Sequence, residues 1–253
     1  MKTAIIIPAR YASSRLPGKP LLRQTGKYLV QHVYERACQA RSANRVIVAT
    51  DDPRIVAAVK AFGGNVILTR RDHASGTDRV AEVARQLAEE VIINLQGDEP
   101  LIDPASLDLL PQLLARDATA QTATLAVPIT SLKQWQNPNC VKVVCDESGS
   151  ALYFSRSPIP HVRDGEPDLT VKPARFLQHL GLYAYRREFL LRLAELPPVS
   201  LESLEKLEQL RVLAYGHRIA VGIVKHAAIG VDTYEDYEKF AQSYRQCPLR
   251  PAA

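Results

Sequence analysis

Arg10, Arg15 and Lys19 fall within ten residues of one another, in Ala9-Arg10-Tyr11-Ala12-Ser13-Ser14-Arg15-Leu16-Pro17-Gly18-Lys19-Pro20. Guanidinium forks and free backbone N–H groups can together hold a polyphosphate. The same charges also suit a solvated basic loop. The stretch matches neither G-x-x-x-x-G-K-[ST], since Pro20 follows Gly18-Lys19, nor G-x-G-x-x-G. A second chemical signal is Asn94-Leu95-Gln96-Gly97-Asp98-Glu99-Pro100, where Gly97 allows a close backbone approach and Asp98 can meet a cation. A polyphosphate arrives with Mg²⁺, which takes one or two carboxylates plus phosphate oxygens. The plainer alternative for Asp98 is a turn closed by an aspartate. Gly230-Val231-Asp232-Thr233 offers another carboxylate, although Asp232 suits a helix cap equally well. No general base stands out, so this chemistry would rest on positioning and charge neutralisation.

Such residues need a frame that brings them to one edge, and the pattern along the chain provides it. Thr3 to Pro8, Arg45 to Thr50, Asn65 to Thr69 and Val91 to Leu95 read as strands. Between them lie helical patterns over Tyr28 to Ala40, from Pro53 to Gly63-Gly64, and over Gly76 to Glu89. This alternation predicts an α/β fold with a Rossmann-like, mostly parallel sheet and helices on both faces. Ligands of such sheets bind beyond the carboxyl ends of the strands. Ala9 to Lys19, Thr50-Asp51, Arg70 to Thr77 and Gln96 to Glu99 should therefore share one rim. The second half is less regular and predicts a smaller β subregion. Its strands are Ala123 to Val127, Val141 to Cys145, Ala151 to Ser155, Leu180 to Tyr185 and Ile219 to Val224. A helix is expected over Leu201 to Ala214, another over Thr233 to Tyr244, and a long Pro-rich loop over Ser157 to Arg175. With no clear linker or internal repeat, residues 1–253 read as a single domain.

Composition narrows the classes. The 253 residues are 46% hydrophobic and 23% charged, which excludes a disordered or collagen-like chain. Lys+Arg 32 against Asp+Glu 27 gives a net charge of +5, suited to an anionic partner. Only 6% of residues are aromatic, a poor stacking surface for a nucleic acid. No apolar run reaches the ~18 residues of a membrane helix. The run Ile5-Ile6-Ile7 before Arg10 is too short for a signal segment, so a cytoplasmic protein is expected. Cys38, Cys140, Cys145 and Cys247 form no C-x-x-C pair and read as reduced thiols.

The pattern R-x-x-S-S-R-L-P-G-K-P-L resembles the signature of sugar-activating nucleotidyltransferases. With ATDD, TRRDHASGTDR, NLQGDEP, LAVPI, NPN-VKVV, ALYFSR-PIP, HLGLYAYR, LEQLR and GVDT, the chain resembles the 3-deoxy-manno-octulosonate cytidylyltransferases, or CMP-Kdo synthetases, from Ile5 to Thr233. The resemblance implies a nucleotide-diphospho-sugar transferase fold. It implies transfer of CMP from CTP to Kdo with release of pyrophosphate, Mg²⁺ as cofactor, a role in lipopolysaccharide synthesis and a homodimer. It divides the chain into a nucleotide-binding part, about 1–130, and a sugar-binding and dimerisation part, about 131–232. It puts Arg10, Arg15 and Lys19 on the phosphates and makes them, with Asp98, the catalytic set. Ala9, Arg71, Ser75 and Gln96 join the nucleotide site, and Asp98 and Asp232 hold the metal. Nothing but the resemblance brings those two aspartates together. Arg156, His179, Tyr183, Glu208 and Gln209 match the sugar contacts, with Arg156 a fork for a carboxylate.

Read without the resemblance, Ser75 suits a helix cap, Glu208 an exposed helix charge and His179 a core histidine. Cys140 and Cys145 depart from the small or apolar residues expected around VKVV and read as packing. The Pro-rich loop suits a lid or a dimer contact. The nearest rival is a cytidylyltransferase for another acidic sugar, a sialic acid or an amino-Kdo. A nucleotide-binding protein without catalysis and an RNA binder are more distant rivals. A glycosyltransferase would show a D-x-D pair, which Gly97-Asp98-Glu99 does not supply.

Overall fold

The computed structural model describes residues 1–12, 16–73 and 75–246. Arg15, with Ser13, Ser14 and Cys247, lies outside the described residues. The chain packs as two compact units, residues 1–108 with the segment from 228 onward, and residues 109–227.

In the first unit strands and helices alternate: β1 (Thr3–Pro8), α1 (Leu29–Ala37), β2 (Ala43–Thr50), α2 (Pro53–Ala61), β3 (Val66–Leu68), α3 (Gly76–Ala84) and β4 (Val91–Asn94). The strands lie in the order β3-β2-β1-β4, and every pairing is parallel. Ala4 to Ile7 on β1 and Val91 to Ile93 on β4 are fully buried, which explains their unbroken apolar runs. Local chemistry sets the helix starts. Asp52 accepts from the Arg54 N–H at 2.9 Å ahead of Pro53 in the first turn of α2. Parallel order puts the segments after all four strands at one rim. Ala9 N–H donates to Ala49 O at 2.9 Å and Thr69 N–H to Thr50 O at 2.8 Å, extending the sheet toward that rim. Beyond β4 runs α4 (Pro104–Arg116), which the sequence pattern does not predict.

The second unit holds β5 (Ala120–Pro128), α5 (Leu132–Gln136), β6 (Lys142–Cys145), β7 (Ala151–Ser155), β8 (Leu177–Arg186), α6 (Arg187–Leu193), α7 (Ser200–Glu205), α8 (Gln209–Ala214) and β9 (Arg218–Ile223). Here the pairing is mixed. β5 is parallel to β9 and antiparallel to β8, and β6 is antiparallel to both β7 and β8. The register jumps from Leu125↔Leu180 to Thr124↔Tyr183, so Gly181 and Leu182 form a bulge in β8.

Residues 157–175 contain no helix or strand, as expected. The expected helix over 201–214 is instead two pieces, α7 and α8. Lys206 breaks it, with a left-handed φ of 54° in a non-glycine residue. The leucine spacing imitates one continuous stripe, but Leu201 and Leu204 face outward while Leu207 and Leu210 are buried. A turn, not a continuous helix, satisfies both sets. Back in the first unit, α9 (Tyr234–Gln246) packs Tyr237 and Phe240 with Leu16, Leu29 and Val231.

Candidate active site

The loop after β1 is shaped to deliver Lys19. Gly18 takes φ 71°, its N–H donates to Tyr11 O at 2.9 Å, and Pro20 stiffens the short 3₁₀ turn Lys19–Leu21. The Lys19 ammonium then meets Asp98 Oδ2 at 2.7 Å, Val231 O at 2.9 Å and Asp232 Oδ1 at 3.6 Å. One backbone bond holds this arrangement: Val231 N–H donates to Asp98 O at 2.8 Å, pinning the segment before α9 to the turn after β4. A Cβ at Gly97 would stand 3.0 Å from Pro8 O, so this glycine serves the close passage of the end of β1.

Asp232 does not cap α9. Asp236 accepts from Thr233 N–H at 2.9 Å and from the Thr233 hydroxyl at 2.8 Å, while Asp236 N–H donates to Thr233 Oγ1 at 3.2 Å. The cap is thus made by Thr233 and Asp236, and the Asp232 carboxylate faces Lys19. Two carboxylates against a single ammonium leave a surplus of negative charge. Burial, and then the neighbouring Asp98 charge, push the Glu99 carboxyl up to about 7. No group of three His, Cys, Asp or Glu suited to a metal occurs among the described residues. A pair of carboxylates converging on one cation fits Mg²⁺ completed by phosphate and water oxygens.

Across the rim, Arg10 Nη2 donates to His73 O at 3.1 Å, joining the loop after β1 to the loop after β3. That second loop has its own supports. Arg79, only 1% exposed, donates from Nη1 to Thr69 Oγ1 and to Arg70 O at 3.4 Å, and pairs with Asp51 at 3.4 Å. Glu82 accepts from Arg70 N–H at 3.2 Å and meets His73 Nε2. Sequence reasoning gave Arg79, His73 and Glu82 no role. The available signal was a cation inside the apolar face of α3, beside Val80 and Val83. Ser75 forms a capping box with Asp78 at the start of α3, each contact 3.1 Å. Arg71 is exposed and Gln96 half-buried. Ala9, Arg10, Lys19, Ser75, Gln96, Asp98 and Asp232 thus all lie on loops of the first unit.

Arg156, His179, Tyr183, Glu208 and Gln209 all lie on the second unit. Thr124 Oγ1 has one proton and two carbonyls in reach, Leu182 O at 2.8 Å and Leu180 O at 3.2 Å across the β8 bulge. His179 Nε2 lies 3.0 Å from that same oxygen. Burial pulls the His179 imidazole down to about 3, so it is neutral, as a satisfied core histidine would be. Tyr183 lies beside it with ring centroids 5.4 Å apart. Burial, then Tyr185 and Glu208, raise the Tyr183 hydroxyl well above its ordinary value. Glu208 is exposed at the start of α8. Gln209, 6% exposed, has an amide Nε2 with no hydrogen-bond partner in the protein. A buried donor of this kind is costly to leave unmet and marks a place where a ligand oxygen would be welcome. Arg156 is the surprise. Its guanidinium donates to Glu205 O at 2.7 Å, Pro138 O at 3.1 Å and Lys206 O at 3.5 Å. Cys140 is buried with Ile129 and Phe176, as packing, and Cys145 is half-buried.

Comparison with known proteins gives one answer. Residues 4–219 match the family model described as cytidylyltransferase. A 3-deoxy-manno-octulosonate cytidylyltransferase of Geotalea daltonii is 53% identical over 244 residues, covering 94% of this chain and 96% of the relative. One from Syntrophobacter fumaroxidans is 54% identical over 241 residues, covering 94% and 95%. A solved structure of CMP:2-keto-3-deoxy-manno-octonic acid synthetase complexed with CTP is similar with a TM-score of 0.90 and 48% identity, covering 97% of this chain and 99% of that one.

Proposed function

The chain belongs to the 3-deoxy-manno-octulosonate cytidylyltransferase family, and from this premise we propose how its residues transfer CMP from CTP to Kdo. The anomeric hydroxyl oxygen of Kdo attacks the α-phosphorus of CTP. A new P–O bond forms, the bond to the bridging oxygen breaks, pyrophosphate leaves and the hydroxyl proton passes to solvent. The product supplies Kdo for lipopolysaccharide, and we assign the reaction to the cytoplasm. No helix among the described residues is long and apolar enough to cross a membrane.

The observation that carries the residue assignments is the meeting of Asp98 and Asp232 at one cation. Those two carboxylates would hold Mg²⁺, which when bound would neutralise phosphate charge and polarise the α-phosphate. Arg10, Arg15 and Lys19 take the charge of the triphosphate and of the leaving pyrophosphate. Arg71 and Gln96 orient the nucleotide, with the Ala9 backbone. Ser75 contributes the N-terminal end of α3, where N–H groups face outward. His179, Tyr183, Glu208 and Gln209 hold the sugar hydroxyls, and Arg156 its carboxylate. The buried, unpartnered amide of Gln209 supports this sugar set. Nucleotide binding falls to residues of about 1–130, and sugar binding and dimerisation to about 131–232. The exposed apolar side chains Leu152 and Ile223 support a homodimer contact on that part.

Pyrophosphate release tests the whole reading. Kdo is offered with each of the four nucleoside triphosphates and Mg²⁺, and CTP is offered with a panel of acidic sugars. CTP with Kdo should turn over fastest. Faster turnover with a sialic acid or an amino-Kdo would overturn the sugar assignment.

A further inference from the structure

Among the features with no role so far is a polar network buried beneath Arg156. Lys142, on β6, is fully buried, and its ammonium is surrounded by Asn137 O at 3.0 Å, Cys140 O at 2.6 Å and Arg156 O at 2.6 Å. Glu205, the last residue of α7, faces the same segment. It accepts from the Ser155 hydroxyl at 2.6 Å and from Arg156 N–H at 2.9 Å. Its own carbonyl accepts from Arg156 Nε at 2.7 Å. The backbone N–H, the backbone carbonyl and the side chain of Arg156 are therefore all fixed, two of them by Glu205. A guanidinium has five N–H donors, and the carbonyls of Glu205, Pro138 and Lys206 take three, leaving two for a ligand. Lys142 and Arg156 stand against the single carboxylate of Glu205, so the network carries a net positive charge. An anion at the remaining Arg156 donors would balance it.

We infer that the Glu205 carboxylate is the positioning group for Arg156, fixing its backbone so that the remaining guanidinium donors face the carboxylate of the acidic sugar. This rests on the reading of Arg156 as the sugar's carboxylate fork, and it assigns Glu205 no contact with substrate. Positioning predicts a specific loss: affinity for the sugar falls while affinity for the nucleotide does not.

The test is the KM for Kdo and the KM for CTP, measured separately on three variants with thermal melting as the check on folding. Arg156→Lys removes the fork and should raise the KM for Kdo roughly tenfold or more, with the KM for CTP little changed. Glu205→Met removes both acceptors at similar size and should raise the KM for Kdo by roughly tenfold. Glu205→Gln can keep both contacts, its oxygen on Arg156 N–H and its nitrogen on Ser155 Oγ, and should recover most of the affinity. A Glu205→Met enzyme with unchanged KM for Kdo, beside an Arg156→Lys enzyme in which it rises, would overturn the role of Glu205 alone. An unchanged KM for Kdo in Arg156→Lys would remove the Arg156 assignment and the inference with it. Equal rises in both KM values for Glu205→Met would show a general structural role and overturn the inference.

Discussion

Lys19 in the first unit and Lys142 in the second both end in an ammonium with three oxygens around it, but the oxygens differ. Lys19 sits among two carboxylates and a carbonyl. Lys142 sits among three carbonyls. A carboxylate cage carries negative charge of its own, so on the proposed function it would exchange one cation for another as substrate arrives. A carbonyl cage is neutral and accepts only hydrogen bonds. Remove its cation and three acceptors, one of them buried, lose their donor at once. Burial already lowers the Lys142 ammonium below its ordinary value, and the nearby Glu205 charge offsets this only in part. On the proposed function, one lysine thus belongs to a site that must change state, the other to a frame that must not.

The largest expected effect probes the exchangeable cage. Asp98→Asn should lower turnover by roughly 10²–10³-fold or more while leaving the circular dichroism spectrum unchanged. Near-normal pyrophosphate release would take Asp98 out of the metal role. The next probes the fixed cage. Lys142→Met should cost about 1–3 kcal/mol in urea unfolding, the range for leaving buried polar groups without their donor. Lys19→Met should cost far less stability than activity. Equal stability losses in the two variants would erase the contrast between the cages.

Acid sharpens the comparison in the opposite sense. His32 on α1 is 3% exposed, holds Nε2 2.7 Å from Thr25 Oγ1 and packs edge-on against Phe240 and Tyr244. Burial pulls it down to about 4 from the ordinary 6.5. The unfolded chain therefore takes up a proton that the folded chain refuses. Stability is complete above 6.5, declines as the pH falls below it and stops declining near 4, a loss of roughly 3 kcal/mol from this group. Urea midpoints measured at pH 7 and pH 4.5 should differ in that direction, and a His32→Leu variant should narrow the difference. The smallest effect is at Ser75. Losing the capping box in Ser75→Ala should cost about 1 kcal/mol. If Ser75 also meets the nucleotide, the KM for CTP rises too, and if it does not, only the melting temperature moves.

The alternating half of the chain was legible because its central strands β1 and β4 are buried on both faces and α2 and α3 each start on a side-chain cap. β1 and β7 fall on the expected residues, and the rim segments follow from parallel order. The meeting of Asp98 with Asp232 was not legible. A single backbone bond between residues far apart in the chain creates it, and no local pattern announces such a bond. Arg79 was hidden for a related reason: its partners come from the ends of β2 and β3, and an arginine on an amphipathic helix ordinarily faces water. In the second half, leucine spacing concealed the break at Lys206, because a left-handed backbone is expected of glycine or asparagine. The carbonyl partners of Arg156 escaped notice because main-chain acceptors leave no mark in a sequence.

The left-handed Lys206 also sets the rotational phase of everything after it. Each residue of an α-helix turns the next by about 100°. Because α8 starts afresh beyond the turn, its phase is independent of α7, and Gln209 points inward while Glu208 stays at the surface. Lengthening or shortening this link of residues 206–208 would change where α8 begins and should disturb the inward placement of the Gln209 amide. On the proposed function, the fit to the sugar would thus depend on the length of a three-residue link as well as on the identity of a side chain.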